Sequence, residues 1–353
     1  MIDVGGGRAR RTSMQDKATS FDIAQLAGVS QPTVSRALRG SPSVSEATRK
    51  RIEAIAQQLN YKVDKNATNL RSGHSNTLAL LLFEDPTPDE SLINPFFLSM
   101  LGSITRTCAL RGYDLLISFQ QLSGDWHVDY EDSRKADGLI LLGYGDYHDY
   151  ERRLGQLVEQ GTHFVRWGSV KPEAREIVVG CDNVQGGRDV TAHLIAEGRK
   201  RIAFIGTATS ATPEFLDRHT GYARALEAAG LVRSLTLHTN ALSSEADGYE
   251  ATVRLLARGE PLDAIICASD LIGLGAMRAL QERGFNIPGD IAVTGFDDIL
   301  SAGLANPPLT TVTQQPGEAG AMLVDTLLRL VRNEPAESRM LPARLVVRRS
   351  SSS

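Results

Sequence analysis

Twenty residues near the start of the chain, Thr19 to Leu38 (TSFDIAQLAGVSQPTVSRAL), constrain the fold more than any other stretch. Thr19 and Asp22 have the spacing of a capping box, which predicts a helix starting at Ser20 or Phe21. Phe21, Ile23, Ala24 and Ala27 follow at helical spacing and predict one apolar face. Gly28 predicts the end of that helix, because glycine tolerates the positive φ of a sharp turn. Val29 can plug the angle that follows. Ser30 is placed to cap a second helix, and Pro32 falls in its first turn, where no backbone N–H is needed. Gln31, Thr33, Ser35 and Arg36 are left facing outward. A plain helical hairpin with a polar outer face would look similar. The alternative is a helix-turn-helix, in which the start of the second helix contacts bases.

The following residues favour the second reading. Val44-Ser45-Glu46-Ala47-Thr48 opens a third helix, running to about Asn60, with Ile52, Ile55, Ala56 and Leu59 on one face. Three short helices can bury a common core. Residues 1–73 hold 12 Lys+Arg against 6 Asp+Glu, leaving 26 against 36 in the remainder, so the net charge of -4 hides a basic head on an acidic body. That asymmetry is the electrostatic footprint of nucleic-acid binding.

The runs GVSQPTVSRAL and VSEATRKRIEAIAQQLNY resemble the DNA-binding headpiece of the lactose and galactose repressor family, a likeness that covers Thr19 to about Leu70. The resemblance implies that Gln31, Pro32 and Arg36 face base edges in the major groove of double-stranded operator DNA. Arg36 can give guanine two hydrogen bonds and Gln31 can pair with adenine, whereas Pro32 offers only apolar contact. Ser30, Thr33, Ser35, Thr48 and Tyr61 are then placed for phosphates, setting register. Thr19 completes the headpiece set. The polar stretch between Tyr61 and Ser75 reads as a linker, in which Asn66 to Arg71 can form one or two helical turns. In the resembled family this is a hinge helix, with Leu70 as a minor-groove wedge and Ala67 one turn earlier on the same face.

From Thr77 onward apolar strand-like runs alternate with helical stretches. The strands are predicted at 77–83, 113–119, 138–143, 163–168, 201–206, 264–269 and 291–296, and the helices at 95–112, 150–161, 184–198, 217–230, 245–259, 270–284 and 316–333. Near-continuous apolar strands suit parallel sheets buried on both faces. The pattern predicts a doubly wound α/β body, long enough for two lobes. It too resembles the repressor family, whose core is like that of periplasmic sugar-binding proteins. The pieces carrying the likeness are NPFF at Asn94–Phe97, Asp182-Asn183, ASD at Ala268–Asp270, GFDD at Gly295–Asp298 and PPLTTV at Pro307–Val312. The expected fold is therefore a small all-α helix-turn-helix headpiece plus a two-lobed α/β periplasmic-binding-protein-like body with parallel sheets. Its expected divisions are a disordered arm at 1–18, a headpiece at 19–61, a hinge at 62–76, a two-lobed body at 77–349 and a disordered tail at 350–353. The resemblance implies three lobe crossings, near 168–182, 294–300 and 310–318. Between 120 and 137 a crossover helix must be short or absent, and Trp126 there can be a local anchor, a dimer contact or a lid.

No catalytic constellation stands out. His193, His219 and His238 are isolated, and there is no GxSxG elbow, P-loop or HExxH. The glycine pair of GCDNVQGG lacks a dinucleotide fingerprint. The scattered Cys108, Cys181 and Cys267 predict buried thiols rather than metal ligands. No cofactor and no metal is expected. In open α/β sheets a ligand sits beyond the carboxyl ends of the strands. Candidate effector residues there are Phe97, Arg166, Trp167, Arg218, Ser269 and Asp297, of which Arg218 and Asp297 fall at the family's ligand-contacting arginine and aspartate. Asp270 is read as the cap of the next helix. Arg166 departs from the family, where many sugar binders carry aspartate, and this leaves an acidic, phosphorylated or nucleobase-type ligand open beside a carbohydrate. No apolar run reaches membrane length and the N-terminus lacks a secretory core. The expectation is a cytoplasmic, nucleoid-associated repressor of sugar genes. It acts as a homodimer on a palindromic operator and is released by a small carbohydrate. A co-repressor-responsive repressor with a nucleobase-type or acidic ligand, a sugar-transport protein and a sugar-converting enzyme with an attached DNA-binding domain are the rivals.

Overall fold

The computed structural model describes residues 18–38, 40–61, 74–84, 93–120, 124–143 and 147–352. Ala67, Leu70 and nearly all of the expected arm and hinge lie outside the described residues. The chain divides into two units, Met1–Gly73 and His74–Ser353.

In the first unit, α1 (Ser20–Ala27), α2 (Gln31–Leu38) and α3 (Glu46–Gln58) enclose a small core of Ile23, Ala24, Ala27, Val34, Ala37, Val44, Ile52 and Ala56. The capping box is formed: Thr19 N–H donates to Asp22 Oδ2 at 2.7 Å, and Asp22 N–H donates to Thr19 Oγ1 at 3.3 Å. Gly28 takes φ 61° and ends α1. Ser45 caps α3 through its bond from Thr48 N–H. One apolar residue departs from expectation. Phe21 is 71 % exposed, because the buried stripe runs through Ile23, Ala24 and Ala27 and leaves Phe21 off it.

The second unit has two lobes. The first holds β1 (Thr77–Leu82), α4 (Pro95–Arg111), β2 (Asp114–Phe119), β3 (Leu139–Leu142), α5 (Tyr147–Glu159), β4 (Phe164–Trp167) and β5 (Val178–Cys181). The second holds α6 (Asn183–Ala196), β6 (Ile202–Ile205), α7 (Pro213–Ala228), β7 (His238–Thr239), α8 (Glu245–Leu256), β8 (Ala264–Cys267), α9 (Asp270–Gln281), β9 (Ala292–Thr294), α10 (Leu300–Leu304) and β10 (Thr311–Thr313). The chain then returns to the first lobe as α11 (Pro316–Val331) and β11 (Arg339–Leu341), and ends with β12 (Arg344–Val346) paired antiparallel to β10. The two sheets are parallel, in the orders β11-β5-β4-β3-β1-β2 and β7-β6-β8-β9. β1, β3, β4, β5, β6, β8 and β9 are buried almost throughout, as their apolar runs require. β2 is an edge strand and leaves Ile117 47 % exposed.

Three expectations are corrected here. The chain does not change lobes at 294–300. Residues 295–313 stay with the second lobe, since Leu309 and Val312 are buried there and Thr310 bridges Thr294 beside β9. The crossings fall after Cys181, between β10 and α11, and between β11 and β12. The tail is not disordered as far as it is described. Ser350 and Ser351 are fully buried, and each bonds to the second lobe through its hydroxyl. In the shortened 120–137 segment the described residues form a π-helical turn, His127–Asp132. Trp126 before it is 2 % exposed and packs against Tyr150 at 6.1 Å in a second core under β1 and β3, which makes it a local anchor.

Candidate functional site

A cleft of about 640 Å³ opens between the two lobes at the carboxyl ends of their strands, where parallel α/β sheets place ligands. Arg218 reaches it from the first half of α7. It can do so because α7 packs closely on α6: a Cβ on Gly187 would stand 2.1 Å from the Arg218 carbonyl oxygen. The glycine pair of GCDNVQGG therefore serves helix packing. The buried guanidinium is held on three sides. Nε donates to Asn183 Oδ1 at 2.8 Å, Nη1 donates to the Ala268 carbonyl at 2.5 Å, and the group lies 3.8 Å from the centroid of the Phe296 ring. Its Nη2 faces Asp297 Oδ1 at 3.5 Å.

Asp297 follows β9 in a tight turn. Its Oδ1 accepts from Gln314 Nε2 at 2.6 Å. Burial pushes its carboxyl up to about 6, opposed by the Arg218 charge and the Gln314 bond. Gln314 is 1 % exposed, lines the cleft, and its Oε1 has no partner among the described residues. Glu214, in the first turn of α7, also lines the cleft and accepts the Ser169 N–H at 2.9 Å, while Ser169 Oγ donates to Asp217 Oδ2 at 2.5 Å. A loop of the first lobe is thus tied to a helix of the second. Burial pushes Glu214 up to about 7 against the Ser169 bond. Asn94, which caps α4, makes another inter-lobe contact, donating to Ser243 Oγ at 3.4 Å. Aromatic rings form much of the remaining wall: Phe83, Phe96, Phe97, Trp167 and Phe215.

Of the residues expected in the cleft, Phe97, Trp167, Arg218 and Asp297 line it. Arg166 and Ser269 do not. Arg166 is 1 % exposed and turned to Glu176, its Nη2 2.9 Å from Oε1, which neutralises the charge away from the cleft. Ser269 caps α9 and receives the Ser243 hydroxyl, so Ser243 stands on the lining instead. Asp270 is not the cap. Its carboxylate receives Ile299 N–H and Thr311 Oγ1, and burial together with the nearby Asp297 charge raises its pKa. Glu214, Ser243 and Gln314 were not foreseen. Gln314 had a usable signal in its place directly after PPLTTVT, whereas Glu214 and Ser243 lie in loops and helix starts without a pattern.

The histidines are less isolated than their spacing suggests. His219 and His238 stack at 5.0 Å against Phe204, where burial lowers His219 to about 4, and His193 bonds Ser351 Oγ at 2.7 Å. His219 and His238 serve packing, and His193 holds Ser351 against the second lobe. Among the described residues no His/Cys/Asp/Glu cluster is arranged to hold a metal, and no helix is long and apolar enough to cross a membrane. Cys108, Cys181 and Cys267 are buried free thiols, with Cys108 pushed up to about 11 by burial.

On the headpiece, Pro32 and Arg36 are exposed, and Gln31, Thr33, Ser35, Thr48 and Tyr61 are half-buried. Gln31 Nε2 donates to Ser20 Oγ at 3.2 Å, which ties the start of α2 to α1. The hydroxyls of Ser30 and Thr33 bond at 2.9 Å, and those of Ser45 and Thr48 at 2.8 Å, at the starts of α2 and α3. Helix N-termini furnished with hydroxyls and backbone N–H groups suit phosphate oxygens.

Residues 21–64 match the bacterial regulatory proteins of the lacI family, and residues 191–351 match the periplasmic binding protein-like domain. The HTH-type transcriptional regulator CelR of Thermobifida fusca is 32% identical over 330 residues, which cover 92% of this chain and 94% of CelR. The HTH-type transcriptional repressor PurR of Haemophilus influenzae (strain PittEE) is 29% identical over 321 residues, covering 90% and 92%. Among solved structures, a CelR–cellobiose complex aligns with TM-score 0.70 and 30% identity over 94% of this chain and 99% of that one. A lac repressor dimer bound to operator and the anti-inducer ONPF aligns with TM-score 0.83 and 25% identity over 96% and 100%.

Proposed function

Because the chain belongs to the lacI family of bacterial regulatory proteins and is a DNA-binding transcriptional regulator, we propose that it represses sugar uptake or catabolism genes and leaves its operator when a neutral carbohydrate occupies the cleft. The observation that carries the ligand class is the pairing of a polar floor with an aromatic wall. Arg218, Asp297 and Gln314 offer donors and acceptors within one side-chain reach of each other, in a cleft also lined by Phe97 and Trp167. Adjacent sugar hydroxyls both donate and accept, and their C–H faces lie well on aromatic rings. An acidic ligand fits less well. The lining carries Glu84 and Asp297 against one guanidinium, with Glu214 raised to about 7, and Arg166 is paired with Glu176.

Gln31, Pro32 and Arg36 read base edges, with Thr19, Ser30, Thr33, Ser35, Thr48 and Tyr61 toward the backbone and Ala67 and Leu70 at the hinge. Two copies read a palindrome in the cytoplasm, joined through their lobes. In support of that pairing, the first lobe exposes Leu98, Leu110, Leu116 and Ile117 on α4 and the edge strand β2. Ligand closure of the lobes shifts operator affinity, a coupling of two sites through one two-state element.

Calorimetric titration with a panel of neutral sugars, repeated on Asp297→Ala, tests the site. Tight binding of one sugar that is lost in the variant supports it. Unchanged affinity in the variant removes Asp297 from the site, and binding confined to sugar acids or nucleobases replaces the ligand class.

A further inference from the structure

Asp297 and Asp298 both adopt left-handed backbone conformations, φ 119° and 57°. Side-chain-bearing residues hold such angles only where their surroundings impose them. On the cleft side, Asp297 is fixed by its N–H to the Val312 carbonyl at 2.8 Å and by Gln314. Asp298 is not part of the cleft lining, and it is fixed from the end of the chain. Arg348 Nη2 donates to Asp298 Oδ1 at 2.6 Å, and its Nη1 donates to the Leu309 carbonyl at 2.9 Å.

Arg348 is itself anchored. Its N–H donates to Thr310 Oγ1 at 2.8 Å, and that hydroxyl is 2.9 Å from the Arg348 carbonyl. Ser350 Oγ receives Thr310 N–H at 2.8 Å and donates to the Val293 carbonyl of β9 at 2.6 Å. Residues 348–351 therefore strap together β9, the turn after it and the start of β10. We infer that Arg348 is a positioning residue for the effector site: it holds the Asp297–Asp298 turn in its left-handed form and so aims the Asp297 carboxyl at Arg218. The inference rests on the effector reading of the cleft.

Arg348→Gln and Arg348→Lys in the full chain test it. Hydrogen exchange of the ligand-free protein is followed at peptides covering residues 295–300, where Asp297 and Asp298 donate their N–H groups to Val312 and Thr311. Arg348→Gln is expected to speed exchange there about tenfold, leaving peptides of β6 and β8 and the operator affinity unchanged. Arg348→Lys keeps the ion pair but not the bond to Leu309, so it is expected to fall between wild type and the glutamine variant. For the sugar that raises the melting temperature of the wild type, affinity should follow the same order. Unaltered exchange at 295–300 in Arg348→Gln overturns the inference. So does equal acceleration of β6 and β8, which would make Arg348 a support for the whole lobe. If no sugar binds the wild type, the effector reading fails, while the exchange result still decides whether Arg348 fixes the turn.

Discussion

Arg218 Nη2 stands 3.5 Å from Asp297 Oδ1, although both side chains are more than nine-tenths buried. A saturated charge-assisted hydrogen bond would close to about 2.7–2.9 Å. The gap leaves both groups with capacity for a third, and a ligand hydroxyl that donates to the carboxylate can accept from the guanidinium. Asp297→Asn keeps the shape and removes the charge. Hydrogen bonds to charged groups contribute about 1.5–3 kcal/mol, so sugar affinity is expected to fall roughly 10- to 100-fold. Calorimetric titration of both proteins against the same sugar measures it.

Glu214 makes stability depend on pH in a definite sense. Burial raises its carboxyl from 4.5 to about 7. The folded protein keeps a proton that the unfolded chain has released. This contribution is full below the unfolded value and is lost as pH rises through the folded one. Glu214→Gln removes the titration. The melting temperature of the wild type minus that of the variant should therefore fall between pH 4.5 and about 7 and then level off. Parallel melting curves for the two proteins across that range would contradict a proton-binding Glu214.

Trp126 anchors the segment that replaces a full crossover helix. It is 2 % exposed against Tyr150, with Leu154 and Leu157 in the same cluster. Trp126→Ala is expected to cost about 3–5 kcal/mol, read as a lower denaturant midpoint. A loss below about 1 kcal/mol would mean that the cluster collapses around the gap.

The headpiece gives a further prediction. Arg36 is exposed on α2 and takes no part in the core. Arg36→Ala should leave the melting of the headpiece intact and weaken operator binding by about 1–3 kcal/mol, with specificity relaxed at one position. Gly28→Ala should do the reverse. The space around Gly28 is open, but its φ of 61° costs a side-chain-bearing residue about 1–2 kcal/mol of stability.

The headpiece was legible because local rules fix it: a capping box at Thr19, a positive-φ glycine at 28 and helical spacing of Ile23, Ala24 and Ala27. The long buried strands were legible for the same reason, since Leu78 to Leu82 or Ala264 to Cys267 have no polar interruption. β7, with two residues, and β10 to β12, with three each, were missed because so few residues carry no period, and the four residues of β5 were missed because they run straight into the Asp182 cap of the next helix. Arg166 shows the limit at the site. Its place at the end of a strand pointed to the cleft, yet Glu176, ten residues on in a loop, captures it. A tail of serines looks unstructured in composition, but Ser350 and Ser351 fill hydrogen-bonding positions that only the folded second lobe creates. Phe97 and Trp167 were placed on the lining by their strand ends, Arg218 by the family likeness and Asp297 by both.

The central claim is that one chain links operator binding to occupancy of the cleft. The most direct test is fluorescence anisotropy of a labelled operator from the chain's own gene neighbourhood, titrated with the full-length protein with and without the sugar that raises its melting temperature. The account predicts specific binding that the sugar weakens, and in Asp297→Asn specific binding that the same sugar no longer weakens. Operator affinity that is identical with and without every sugar that binds the wild type would contradict it.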